Sequence, residues 1–139
     1  MKTKQIGSLF IPVNNLERSI AFYTEALGLV CRGIEDWGGD SRGATLFFQP
    51  HPEDAALLSL AELKEPIPVM AFPSFNIKCA DVRALHAELQ ARGCRVSDIE
   101  TWDSEWNHHV LFDVFDPDGH MVGLVEMVPI AAAAAVVES

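Results

Sequence analysis

From Val110 to Val128 the chain reads VLFDVFDPDGHMVGLVEMV, and Val110, Phe112 and Val114 alternate with Leu111, Asp113 and Phe115. A period of two predicts a strand with one apolar face and one mixed face. Asp116-Pro117-Asp118-Gly119 then places an acceptor first, a preset φ second and glycine fourth, the preferences of a type I turn. Met121 to Val128 returns as a second apolar strand. A hairpin this apolar is predicted to lie mid-sheet with a layer packed on its back.

The same alternation appears at the start of the chain. Leu9, Ile11 and Val13 share one face of a strand from Ser8 to Val13, and Ser8, Phe10 and Pro12 share the other. Asn14 and Asn15 offer helix caps, and Leu16, Ile20, Tyr23 and Leu27 draw a helical stripe that Gly28 stops. A short strand over Val30 to Ile34 is predicted next, followed by a loop over Asp36 to Gly43 on its Gly and Asp content. Strands are predicted at Ala44 to Gln49 and Ala55 to Leu60, and the proline-rich stretch Glu62 to Pro73 reads as a linker.

The plan then repeats. Ser74 to Cys79 alternates as a strand; Asp81 caps a helix with Val82, Leu85 and Leu89 inward, ended by Gly93. Arg95 to Ile99 is predicted as a strand, Glu100 to Asn107 as a loop with two tryptophans, and the hairpin completes the unit. An offset of 66 residues sets Leu9 on Phe75, Ile11 on Ile77, Asn15 on Asp81 and Leu16 on Val82. Each half is therefore predicted as β-α-β-β-β, and a sheet backed by one helix leaves its other face to be covered.

Composition narrows the classes. At 139 residues the chain suits one domain with a sizeable core. Twenty acidic against ten basic side chains give a net charge of −10, which disfavours nucleic acid and anionic membranes as partners. Cys31, Cys79 and Cys94 lack metal-type spacing and read as reduced thiols of a cytoplasmic protein. The start MKTKQIG carries no apolar secretion-signal core, and Val128 to Val137, about ten residues, is roughly half of a membrane span. The run Ala131 to Ala135 leaves a frayed helix, a dimer arm and a disordered end all open.

The stretches IPVNNLERSIAFYTEALGL (Ile11 to Leu29) and FDPDGHMVGLVE (Phe115 to Glu126) resemble the vicinal oxygen chelate superfamily, which includes glyoxalase I, extradiol dioxygenases and bleomycin resistance proteins. The resemblance spans Ile6 to about Val128. It implies an α+β fold: two βαβββ modules in tandem, their sheets curved around a shared cavity with helices outside, and a homodimer. The single domain then divides into module one at about 6–61, a linker at 62–73, module two at 74–128 and a tail at 129–139. The apolar faces pack on the helices, and the mixed faces line the cavity: Ser8, Phe10, Thr45, Phe47, Gln49, Ser74, Asn76, His109, Leu111, Asp113, Met121 and Gly123.

Metal-using members place a histidine near the start of each module's first strand and a glutamate on its last. The matching positions here are Ser8 and Ser74, with Gly123 and either Leu58 or Ser59 for the acids. Divalent ions need three or four converging N or O donors, so no metal and no cofactor is expected. A replacement site is not apparent. His109 and Asp113 share a strand face but stand roughly 13 Å apart. His108 points the other way, His120 belongs to the turn, Glu126 faces away from the cavity, and His51 and His86 are expected in solvent.

What remains is a pocket. Asp113 carries a desolvation cost unless it meets a donor, a cation or a proton, so it and His109 are the candidate acid/base or ligand-binding groups. A hydrogen bond to Asn76, Lys78 or His109 is the structural alternative for Asp113. Trp37, Trp102 and Trp106, in predicted loops, suit stacking on a planar ligand, and a cationic one would also suit the net charge. The leading expectation is a metal-free protein that sequesters a small molecule. Two alternatives stand beside it: a lyase, isomerase or dioxygenase using Asp113 and His109 or an unaligned metal site, and a protein-association module with a vestigial pocket.

Overall fold

The computed structural model describes residues 2–130, so the expectations for the alanine-rich tail lie outside the described residues. Two compact units divide the chain at Val69/Met70. Each has the predicted β-α-β-β-β order.

In the first unit β1 (Ser8–Val13) leads into α1 (Leu16–Ala21), which runs on as a π-helical turn at Phe22–Ala26. Asn15 caps α1 by accepting from Arg18 N–H at 3.0 Å, and Gly28 leaves the helix at a φ of +78°. The strands β2 (Val30–Gly38), β3 (Ser41–Phe47) and β4 (Leu57–Glu62) follow in a sheet ordered β1-β4-β3-β2. The expected loop over residues 36–43 is instead a hairpin. β2 continues through Trp37, and Gly38 and Gly39, at φ +94° and +59°, turn it directly into β3. Glycine content signalled the turn, while backbone pairing absorbed the polar residues around it. Glu62, expected to open the linker, ends β4 and accepts from Leu16 N–H at 3.0 Å, a second cap for α1. Gln49, expected to face inward on a strand, lies beyond β3 and is exposed.

The second unit repeats this with a sheet ordered β5-β8-β7-β6. Its elements are β5 (Asn76–Lys78), α2 (Val82–Ala91), β6 (Glu100–Asp103), β7 (Asn107–Phe115) and β8 (Met121–Pro129). The β7–β8 hairpin is central, and its turn closes with Gly119 N–H donating to the Asp116 carbonyl at 2.9 Å. Asp116 Oδ1 also accepts from Asp118 and His120 N–H, at 3.0 and 2.8 Å. Asp81 caps α2 through Ala84 N–H at 3.1 Å, and Glu126 reaches Val82 N–H at 3.0 Å, as Glu62 does in the first unit. Three expectations are corrected here. Residues 95–99 make only the bridge Val96–Val114 rather than a strand, and β6 occupies the segment expected as a loop. Ser74 lies outside β5, which is only three residues long.

The helix-facing sides are the cores. Ile11, Val13, Ala44, Leu46, Leu58 and Leu60 are buried with Leu16 and Tyr23 in the first unit. In the second, Val110, Phe112, Val114, Val122 and Leu124 are buried with Val82 and Leu89. His86, expected in solvent, stands edge-on to the Phe112 ring at 4.8 Å, with Nε2 2.9 Å from the Ser97 carbonyl oxygen. That carbonyl satisfies the imidazole as α2 turns this face to the sheet. Among the described residues no helix is long and apolar enough to cross a membrane.

Candidate functional site

In each sheet, side chains of paired residues project to the same side, so the register assigns the face turned away from that unit's own helix. In the first unit Phe10, Ser59 and Thr45 form one row, and Pro12, Ala61, Gly43 and Glu35 the next. Ser8, Leu57, Phe47 and Val30 make a third. Ser8 and Ser59 hydroxyls hydrogen bond to each other at 2.6 Å. Thr45 and Ser59 are buried, whereas Phe10 is 67% exposed. Phe47 lies 5.3 Å from the His51 ring.

Trp37 organises this face. A Cβ at Gly43 would collide with its indole ring and with the Leu60 carbonyl, so glycine is what allows the ring to lie against the sheet. The ring stands edge-on to Phe10 at 6.4 Å, and its Nε1–H donates to Glu35 Oε1 at 3.3 Å. Thr45 first, then Trp37 and Arg32, hold the Glu35 carboxyl below the usual carboxylate range. Among the described residues no hydrogen bond reaches the solvent-shielded Oε2. Arg32 Nε lies 3.6 Å from that oxygen.

In the second unit Asn76, Gly123 and Asp113 form one row, and Lys78, Val125, Leu111 and Glu100 the next. Met127, His109 and Trp102 follow, and Met121 pairs with Phe115 at the hairpin end. A Cβ at Gly123 would come within 3.1 Å of Asn76 Cβ, so glycine permits the close approach of β5. His109 stacks on Trp102 with ring centroids 4.4 Å apart and 4° between planes. Its Nδ1 is 3.3 Å from the Trp102 carbonyl oxygen. His108 projects to the opposite side and pairs with Asp103. Asp113 is half-buried, and none of the expected partners Asn76, Lys78 or His109 hydrogen bonds to its carboxyl among the described residues. Burial, and after it the charge of Glu100, pushes that carboxyl up from its ordinary value of 3.8. The Cys79 thiol is also raised by burial, which leaves it a poor nucleophile.

Of the twelve residues expected on the mixed faces, ten share them here; Gln49 and Ser74 fall outside the strands. The acidic residues Glu35 and Glu100 join these faces without having been expected there, because each belongs to an edge strand whose pairing leaves no local signal. Ser59, rather than Leu58, is the register counterpart of Gly123, since Ser59 pairs with Phe10 and Gly123 with Asn76, positions 66 residues apart. Neither the mutually bonded Ser8 and Ser59 hydroxyls of the first unit nor Gly123 of the second offers the charged or imidazole donors that a divalent ion selects. Among the described residues no three His, Cys, Asp or Glu side chains gather to hold one.

Residues 5–124 match the model of the Glyoxalase/Bleomycin resistance protein/Dioxygenase superfamily. The chain belongs to that superfamily. Among solved structures it resembles TnmS3, an antibiotic-binding protein from a Streptomyces species, at 25% identity and a TM-score of 0.69. That alignment covers 92% of this chain and 99% of TnmS3. A glyoxalase/bleomycin resistance protein from Streptomyces matches at 28% identity and a TM-score of 0.59, over 85% of this chain and 97% of that one. The trypanothione-dependent glyoxalase I of Leishmania major shares the fold at 23% identity and a TM-score of 0.71, over 98% of this chain and 91% of that one. A search of proteins of curated function returned no match.

Proposed function

We propose that this superfamily member is a metal-free small-molecule-binding protein that sequesters its ligand on the sheet faces turned away from the helices. The observation that carries this reading is the chemistry at the positions where the resemblance puts metal ligands: a Ser8–Ser59 hydroxyl pair in the first unit and, in the second, Gly123. Each unit's face mixes exposed aromatic rings with a few polar groups, the mixture that suits ligand sites: Phe10 and Trp37 with Thr45 in the first, and Trp102 with Asn76, His109 and Asp113 in the second. The likeness to TnmS3, described as an antibiotic-binding protein, supports binding without chemistry.

The test is elemental analysis of the purified protein together with a thermal-shift screen of divalent ions and small organic molecules. A ligand at 100 times its Kd adds roughly 2.7 kcal/mol of stability, so organic stabilisers without bound metal are the expected result. A second reading draws on Asp113, whose half-buried, raised carboxyl would serve as the base in an enzyme of this fold. Tightly bound divalent metal, lost on Asp113→Asn or His109→Ala, would replace the binding reading with that one.

A further inference from the structure

Within the second unit, the sheet face turned away from α2 holds a notch one side chain deep. Asn76 on β5, Gly123 on β8 and Asp113 on β7 stand in one row, and the middle strand contributes no side chain there. A Cβ at Gly123 would lie 3.1 Å from Asn76 Cβ, so the space left by the glycine opens on the side to which Asn76 projects. Apolar rows flank it, Phe115 with Met121 before and Leu111 with Val125 behind. Neither the Asn76 amide nor the Asp113 carboxyl hydrogen bonds to a neighbour among the described residues. The Asp113 N–H is taken by Ser97 Oγ at 2.8 Å. Arg95, opposite Phe115 on this edge, lays its guanidinium over that ring at 4.0 Å rather than on the carboxyl. Two polar side chains are thus left facing one gap, where each gains from a partner.

We infer that this notch is a subsite for a planar amide of the ligand, a lactam, imide or carboxamide, whose N–H donates to Asp113 and whose carbonyl accepts from Asn76 over the bare backbone of Gly123. This rests on the sequestering function proposed above and names a group that its ligand carries. The spacing suits it. Strands about 4.8 Å apart put Asn76 and Asp113 roughly 9.6 Å from each other across Gly123, too far for a direct bond. Two hydrogen bonds of about 2.9 Å on either side of an amide about 2.3 Å across span roughly 8 Å. An ionised carboxylate only accepts, so Asp113 fixes which end of the amide lies against β7. An ester of the same shape would turn an oxygen lone pair to that carboxylate and leave it unpaired. The negative charge of Glu100 near Asp113 further favours a donor there over an anion.

The test is NMR titration of the full chain with 2-quinolinone, a lactam, and with coumarin, the lactone of the same outline that lacks the N–H. Wild type, Asp113→Ala and Asn76→Ala are compared, with circular dichroism to verify folding. 2-Quinolinone is expected to bind wild type at least about tenfold more tightly than coumarin and to shift the backbone amides of Asn76, Asp113 and Gly123. Asp113→Ala should abolish that preference, whereas Asn76→Ala, which removes the donor to a carbonyl both probes share, should weaken both roughly fivefold. Equal affinity of wild type for the two probes overturns the amide assignment, as does a preference that survives Asp113→Ala or an Asn76→Ala variant that binds both like wild type. Failure of both probes to bind overturns it too. In each of these cases an organic stabiliser in the thermal-shift screen leaves sequestration standing, and a screen silent to every small molecule removes that reading as well.

Discussion

The two modules solve one packing problem in opposite ways. At the sheet position opposite Leu60 or Leu124, module one has Ala44 and module two has Phe112. Module one compensates from its helix with the fully buried Tyr23, whereas module two carries the smaller Leu89 and sets His86 edge-on to Phe112. Their far faces differ as well. In module one Gly43 lies under the Trp37 ring and Glu35 is held by its neighbours; in module two Leu111 fills that place and Glu100 confronts Asp113. A duplicated backbone plan therefore fixes where volume and charge must go, and leaves which strand or helix supplies them free to diverge.

The largest expected effect breaks the core contrast. Phe112→Ala removes the ring against His86 and should destabilise the protein by about 3–5 kcal/mol in urea unfolding, while Tyr23→Phe, which keeps the volume, should cost far less. Next comes the tryptophan platform. Gly43→Ala places a methyl against the Trp37 ring and the rigid Leu60 carbonyl, at a cost of about 1–3 kcal/mol and with altered indole fluorescence. Leu111→Ala, at the matching position, should leave the Trp102 emission unchanged.

The capping carboxylates sharpen the comparison. Glu62→Ala and Glu126→Ala each remove an acceptor from a helix N-terminus, for about 1 kcal/mol apiece by thermal unfolding. Glu62 also meets Arg42 at 2.7 Å, a part-exposed pair that adds at most about 1 kcal/mol and weakens with salt. The Glu62 deficit should therefore shrink with salt and the Glu126 deficit should not.

The smallest effect is a pH dependence of opposite sign in the two modules. Arg42 and the Leu16 N–H hold the Glu62 carboxyl below its ordinary value of 4.5, so its stabilisation is present above that pH and is lost as pH falls through the lowered value. Glu35 behaves the same way. Asp113 is raised, so the folded state binds its proton more readily; it favours folding at low pH and opposes it as pH climbs from 3.8 through the raised value. Carboxyl NMR titration should show Glu62 below and Asp113 above ordinary values, and Glu100→Gln should bring Asp113 down. Asp113→Asn should slightly raise stability at neutral pH, and a loss there would refute this assignment.

Local signals in the chain were enough for the β-α-β-β-β plan, the caps Asn15 and Asp81, the terminating Gly28 and Gly93, and the central hairpin with its Asp116–Gly119 turn. These depend on neighbours a few residues apart, or on a period of two that any strand must obey. Tertiary structure alone decided that β2 runs on through Trp37, that β6 replaces a loop, and that His86 meets Phe112. It alone aligned Glu35 with Glu100 and Trp37 with Trp102. An edge strand draws its identity from the partner that satisfies its backbone, and that partner lies outside any local window. The face a side chain shares is likewise set by cross-strand register, which bulges near Cys31 and Asp36 shift in ways that periodicity does not record.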